Sequence, residues 1–326
     1  MKDKITYMQR MTMLCIGALV AVSFMFTTSS CNKSDDLEYE FDSLALKAKG
    51  KFLYSFFLRE GEEIEKQYWK DGNLVGLYLT KDTLGNPYED LPELYSNIRH
   101  QFLSGVWFSD PYDIPLTKNE AVLYAYYPFV PNANPFAIDV NVRKQVDYMY
   151  GTHMYPQKSV KSGNAVAYMD MKHVMAMLDF RFKKYDFKAN VVVSDITIRK
   201  VKPTSASDTI LAIPLAGKLN IQTGEVSYTE YGQMGYKDLF FQLKDEYTTA
   251  NRFLCYALPY DIQGDEIELV LGINGKNYSV TLDWQNDWNR GYRSVYNITF
   301  TGKNLYLENV SIDDWDNRYI DVIIRD

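Results

Sequence analysis

The stretch EIELVLGINGKNYSVTLDW, residues 266–284, decides the fold class. Two β-promoting runs, Glu266 to Ile273 and Tyr278 to Trp284, flank Asn274-Gly275. Asn-Gly readily takes the positive φ angles that a two-residue hairpin loop needs, so it is the strongest short hairpin signal in the chain. The pattern continues on both sides. Upstream lie Met175 to Phe182, Val191 to Val201, Thr209 to Pro214, Lys218 to Ile221, Glu225 to Tyr228 and Phe253 to Leu258, with a tight-turn signal at Thr223-Gly224. Downstream come Val295 to Thr301, Leu305 to Leu307, Val310 to Ile312 and Tyr319 to Ile324.

The first half reads the same way. Leu74 to Thr80 is a strand, and Val122 to Tyr127 is another, stopped by Pro128 and followed by a loop from Asn132 to Pro135. Phe52 to Leu58 is an earlier strand in which Phe52, Tyr54, Phe56 and Leu58 share one face under the two-residue period. Helical spacing is scarce, and one short helix is expected within Leu91 to Phe102. Many short strands separated by turn signals indicate an all-β chain of sandwiches or open barrels.

The N-terminus predicts export. Lys2, Lys4 and Arg10 precede a charge-free apolar run from Met11 to Phe26, and small residues Thr27 to Ser30 lead to Cys31. The run is shorter than the roughly 20 residues that cross a bilayer, so it reads as a secretory signal. Small residues directly before a cysteine resemble a bacterial lipobox, which makes Cys31 the lipidated first residue of the mature chain, although Thr28 stands where Leu is usual. The acidic Asn32 to Asp36 is similar to the segment that sends Bacteroidetes lipoproteins to the outer face of the outer membrane. Cys15 leaves with the signal, so Cys255, inside an apolar run, has no intramolecular disulfide partner and is expected as a buried thiol.

Composition narrows the function. About 295 mature residues suit two domains. A soft boundary is placed near Gly163, giving a signal at 1–30, a lipidated tether at 31–50, an N-terminal domain at 51–163 and a C-terminal domain at 164–326 with a terminal strand. The chain holds 27 Tyr, and tyrosine suits strands and wet contact surfaces. A net charge of −7 spread along the chain argues against nucleic acid. The densest basic runs, Arg181 to Lys184 and Arg199 to Lys202, follow strand-like stretches and read as solvated strand ends.

No catalytic constellation, cofactor loop or metal set emerges. His100, His153 and His173 are dispersed without ligand spacing. There is no phosphate-binding loop and no nucleophile elbow. Asp313-Asp314-Trp315-Asp316 lacks the alternation of a calcium loop and reads as solvated charges beside a packed Trp. Trp284 and Trp288, four apart, read as core packing plus a loop aromatic, with sugar stacking as the competing use. No enzyme activity, cofactor or metal is expected.

The order of several segments resembles the Bacteroidetes fimbrillin family, the FimA-like and Mfa-like pilins and their accessory subunits. The segments are Trp69 to Tyr78, Ala121 to Pro128 ending Ala125-Tyr126-Tyr127-Pro128, Asp147 to Gly151 and Lys172 to Leu178. Ala216-Gly217-Lys218, Thr223-Gly224, Tyr296 to Gly302 and Asp314-Trp315 follow in order. Each is loose alone, and Asn73 stands where that family usually has Asp.

The resemblance implies two transthyretin-like β-sandwich domains in tandem and assembly by strand exchange. A protease would cut after a basic residue and remove the first strand, and a C-terminal strand from another subunit would fill the groove by β-augmentation. Arg59 directly follows the apolar strand Phe52 to Leu58 and is the candidate cut, with Lys47 and Lys49 as lesser ones. Ile320, Val322 and Ile324 share one strand face and are the candidate plug. Their burial would contribute roughly 1.5–3 kcal/mol each before ordering costs. The expected function is therefore a structural or accessory subunit of a cell-surface fimbria that supports adhesion. Its partners would be other fimbrial subunits or itself, the outer membrane through Cys31, and a host or bacterial surface ligand. The alternative is a surface glycan-binding lipoprotein of a nutrient-uptake system, stacking sugar on Trp284, Trp288 and tyrosines.

Overall fold

The computed structural model describes residues 42–43, 45–49, 69–104, 106–110, 113–201, 212–262, 267–282 and 288–315. The expected all-β class holds, and the described strands form five sheets.

The first strands are β1 (Asp42–Ser43), β2 (Ala45–Lys49), β3 (Leu74–Thr80), β4 (Ile98–Leu103), β5 (Val106–Asp110), β6 (Pro115–Leu116) and β7 (Val122–Tyr127). Then come β8 (Ile138–Asn141), β9 (Met149–His153), β10 (Val166–His173), β11 (Ala176–Lys184), β12 (Val192–Lys200), β13 (Ile213–Leu219) and β14 (Val226–Gly232). The last are β15 (Met234–Tyr236), β16 (Phe241–Gln242), β17 (Arg252–Ala257), β18 (Ile267–Ile273), β19 (Lys276–Thr281), β20 (Tyr292–Phe300) and β21 (Leu305–Asp314).

The hairpin that anchors the sequence reading is present. β18 and β19 pair antiparallel, with Ile273 opposite Lys276. Asn274 and Gly275 both have positive φ, 48° and 78°, as a two-residue turn matched to strand twist requires. β3 and β7 have the boundaries read from sequence.

A seven-stranded sheet runs β2-β10-β9-β7-β3-β4-β5, antiparallel except for the β2–β10 pair. Its inner face holds one core, including Trp69, Leu77, Leu79, Leu123, Met149, Met169 and Met171. Tyr88 and Tyr95 close that core, their rings meeting edge-on at 4.9 Å. Each phenol finds a carbonyl, Tyr88 on Asn119 and Tyr95 on Pro115, so neither hydroxyl is buried without a partner.

The second core lies between a four-stranded sheet, β17-β11-β20-β21, and a five-stranded one, β15-β12-β18-β19 with β16 on β12. Aromatic rings cross this interface: Phe182 with Phe241 at 5.8 Å, Tyr236 with Phe253 at 4.7 Å and Tyr278 with Phe300 at 4.9 Å. A three-stranded sheet, β14-β13-β8, joins the same core through Ile138, Val140, Leu215 and Leu219. β10 follows Gly163 yet belongs to the seven-stranded sheet, whereas β8 precedes Gly163 and pairs with β13.

Three expectations change. The helix within Leu91 to Phe102 is one turn, Pro92–Tyr95, and β4 takes over at Ile98. Asn97 at φ 52° breaks the turn, and Ile98 and His100 then bury one face while Arg99 faces out. Leu305 to Leu307 and Val310 to Ile312 are one strand, β21, interrupted by a register shift opposite Asn297 and Ile298. Part of the 31–50 tether is strand, β1 and β2. In the sequence Leu46 and Ala48 alternate with Lys47 and Lys49, a short two-residue period consistent with an edge strand.

Candidate assembly site

Near the two ends of the described chain lie two sheet-edge strands, β2 and β21. β2 is the edge of the seven-stranded sheet, held by one ladder in which Ala45 to Lys49 match Val166 to Asp170. β10 beneath it alternates strictly. Ala167, Met169, Met171 and His173 are buried, while Tyr168 and Lys172 are exposed. Removing β2 would therefore uncover a row of β10 amide and carbonyl groups beside a packed core, a template for a replacement strand.

The rest of β10 is held firmly. His153 Nε2 accepts a hydrogen bond from the Leu123 amide at 3.1 Å. The Gln157 side chain receives the Tyr168 amide at 2.8 Å and donates to the Val166 carbonyl at 2.7 Å. Burial lowers the His153 pKa and favours the neutral ring that these contacts use. β10 is thus hydrogen-bonded on the side away from β2 by β9 and Gln157.

At the other end, β21 is the edge of the four-stranded sheet and leads to Trp315. Trp315 is buried, and its indole stacks on the His173 imidazole at 3.9 Å and on the Tyr256 ring at 5.4 Å. Asp147 holds His173 through a 2.9 Å contact between two buried side chains. Beside it, Arg293 pairs with Asp313 at 2.9 Å. Asp179, fully buried, receives two hydrogen bonds from Arg252, each 2.6 Å. Buried charges persist only when paired and hydrogen-bonded in this way. These contacts pin the root of the C-terminal segment in β10, β11, β17 and β20.

Cys31, Phe52, Tyr54, Phe56, Leu58, Arg59, Trp284, Ile320, Val322 and Ile324 lie outside the described residues. Trp288 is described and is 1% exposed, its Nε1–H donating to the Tyr296 hydroxyl at 3.0 Å. Its ring is core, which corrects the reading of Trp288 as a stacking platform for sugar. Cys255 is buried, and burial pushes its thiol up to about 12, so it is not poised as a nucleophile. The basic runs carry their own counter-ions. Arg181 pairs with Asp179, Lys183 with Glu308, Lys184 with Asp245 and Arg199 with Glu268.

The Asp147–His173–Trp315 stack and the Asp179–Arg252 pair were not foreseen. Asp147, His173 and Trp315 do fall in segments that carry the family resemblance, which was the available signal. Asp179 had none, because a single Asp inside an apolar strand gives no clue to the Arg that reaches it.

Residues 63–315 match a family model described as fimbrillin-like. A candidate cell adhesion protein from Bacteroides ovatus has a similar fold, with a TM-score of 0.60 at 15% identity over 84% of this chain and 98% of that one. Another from Bacteroides uniformis gives 0.55 at 16% identity, over 84% and 99%. No curated protein matches the chain.

Proposed function

The chain belongs to the fimbrillin-like family, and from that premise we propose that it is a cell-surface fimbrial subunit assembled by proteolysis-triggered strand exchange. The observation that carries the mechanism is the placement of β2. It is an edge strand held by a single parallel ladder, and the segment between it and Trp69 contains Arg59. A cut after Arg59 separates β2, together with Phe52, Tyr54, Phe56 and Leu58, from the body that starts at Trp69.

In this reading Cys31 carries the lipid that brings the precursor to the outer membrane. Cleavage frees the β10 edge, and a C-terminal strand bearing Ile320, Val322 and Ile324 from the next subunit takes β2's place. Backbone hydrogen bonds supply affinity and alternate side chains set register. The reading takes the chain as two sandwich domains, approximately 51–163 and 164–326, and the presence of two cores supports it, with β8 joining the second core and β10 the first. The role is structural and adhesive.

The test uses the full chain and a labelled synthetic peptide of residues 316–326. The peptide should stay with the chain through gel filtration only after the chain has been cut between Lys49 and Trp69. Replacing Ile320, Val322 and Ile324 in the peptide by Asp should abolish capture. Equal capture by cut and uncut chain, or none by either, would refute the exchange.

A further inference from the structure

A groove of about 330 Å³ lies on the outer face of the seven-stranded sheet, and Asp170 in its floor is also the ladder partner of Lys49 on β2. Its floor comes from three neighbouring strands. Tyr124 on β7 stands opposite Thr152 on β9, and Thr152 opposite Asp170 on β10. One step along, Tyr150 stands opposite Lys172. Strand alternation sends all five outward, because their neighbours Leu123, Gly151, Met169 and Met171 are buried. One wall is the turn after β13, with Gln222 and Thr223. The other is Tyr155, whose ring is 89% exposed.

The groove is built and not a chance dent. Gly224 has φ 75°, and a Cβ there would meet the Tyr150 ring at 2.0 Å. The turn can approach the sheet this closely only with glycine at that position. Arg290 clamps the two sides, donating to the Gly224 carbonyl at 2.7 Å and to the Tyr150 hydroxyl at 3.3 Å. Tyr124 is fixed by donating to the Asp82 carbonyl at 3.1 Å. The floor and the turn wall are therefore preorganised, which lowers the ordering cost of binding, while the exposed Tyr155 is left to close over a ligand.

We propose that this groove binds a neutral saccharide. Three tyrosine rings offer faces and edges for the C–H side of a pyranose. Gln222 supplies an amide that both donates and accepts. Thr152, whose O–H donates to the Leu123 carbonyl at 2.7 Å, and Thr223, whose O–H donates to Glu225 at 3.5 Å, offer lone pairs as acceptors. The Asp170 carboxylate accepts and the Lys172 ammonium donates, and neither side chain has an ion-pair or hydrogen-bond partner among the described residues. One carboxylate and one ammonium on the same strand face cancel in net charge. That suits an uncharged polyhydroxylated ligand and disfavours a sulfated or phosphorylated one. A fimbrial subunit with such a groove would contact glycan directly. The proposal does not depend on strand exchange, because it concerns a site within the unassembled chain.

The full chain, purified in detergent, is titrated with neutral oligosaccharides of glucose, mannose, galactose and N-acetylglucosamine and with a sulfated oligosaccharide. Saturation-transfer NMR reads the contact. At least one neutral oligosaccharide should bind, and Tyr155→Ala and Asp170→Asn should each weaken it about tenfold. Tyr231→Ala, in the separate cleft formed with Tyr228 and Pro259, should leave binding unchanged. Tyr155 is exposed, so its loss does not threaten folding, and an unchanged thermal midpoint verifies that. No binding of any neutral sugar, binding of the sulfated one alone, or loss only in Tyr231→Ala would overturn the proposal.

Discussion

The His173 imidazole lies flat on the Trp315 indole, 3.9 Å between centroids and 6° between planes. His173 ends β10, the strand on which β2 sits, and Trp315 directly follows β21. The end of β10 and the end of β21 therefore meet through this aromatic contact, oriented by Asp147.

Trp315→Ala should cost about 3–5 kcal/mol of stability, the usual range for truncating a large buried aromatic. It should also make the C-terminal end of β21 more open to proteolysis than the rest of the sheet. Urea unfolding followed by limited proteolysis with mass mapping measures both. Asp147→Asn should shift the unfolding midpoint less, because the ring contact survives.

Asp179→Asn leaves Arg252 without its carboxylate in a nearly dry site. A loss of roughly 3–5 kcal/mol is expected. Replacing both residues together, Asp179→Leu with Arg252→Met, should recover part of it, because the closest of the guanidinium partners goes with the carboxylate, while Arg181, one-third exposed, loses the same partner but keeps water. A double-mutant cycle by chemical denaturation reads the difference.

Burial pushes the His100 imidazole down from 6.5 to about 4, against a smaller pull from the Ile98 backbone. Neither ring nitrogen has a partner at hydrogen-bonding geometry. Between those pH values the unfolded chain holds a proton that the folded chain rejects. This residue's contribution is thus fully present above about pH 6.5 and is lost as pH falls toward 4, by roughly 3 kcal/mol. His100→Leu should flatten that part of the stability profile, measured as the difference between variant and parent.

Cys255 should resist a thiol reagent in the native chain and react at the rate of global unfolding. Reaction within seconds in native buffer would mean that the β17 face opens independently of the core.

Much of the fold was legible because its strongest signals are local. Asn274-Gly275 needs only its own backbone preferences, and β3 and β7 are bounded by turn residues and Pro128. The strands that escaped, among them β9 and β10, contain Gly151, Asp170 and Lys172, residues that read as polar until neighbouring strands supply the other face. Leu91, Leu94, Tyr95 and Ile98 carry helical spacing, but the helix stops at Tyr95, and the pairing of β4 with β3 and β5 that takes over at Ile98 is non-local. Trp288 reads as a loop aromatic because it follows the strand-like run ending at Trp284, yet its ring is core. The pairing of His173 with Trp315 was not legible, since the two are far apart in sequence and meet only through the sheets.

Trypsin treatment of the lipidated precursor under native conditions, with its N-terminus and its assembly size followed together, is the decisive measurement for strand exchange. A new N-terminus at Glu60 should appear together with SDS-resistant ladders. A precursor that stays uncut and monomeric and keeps its lipid would contradict strand exchange.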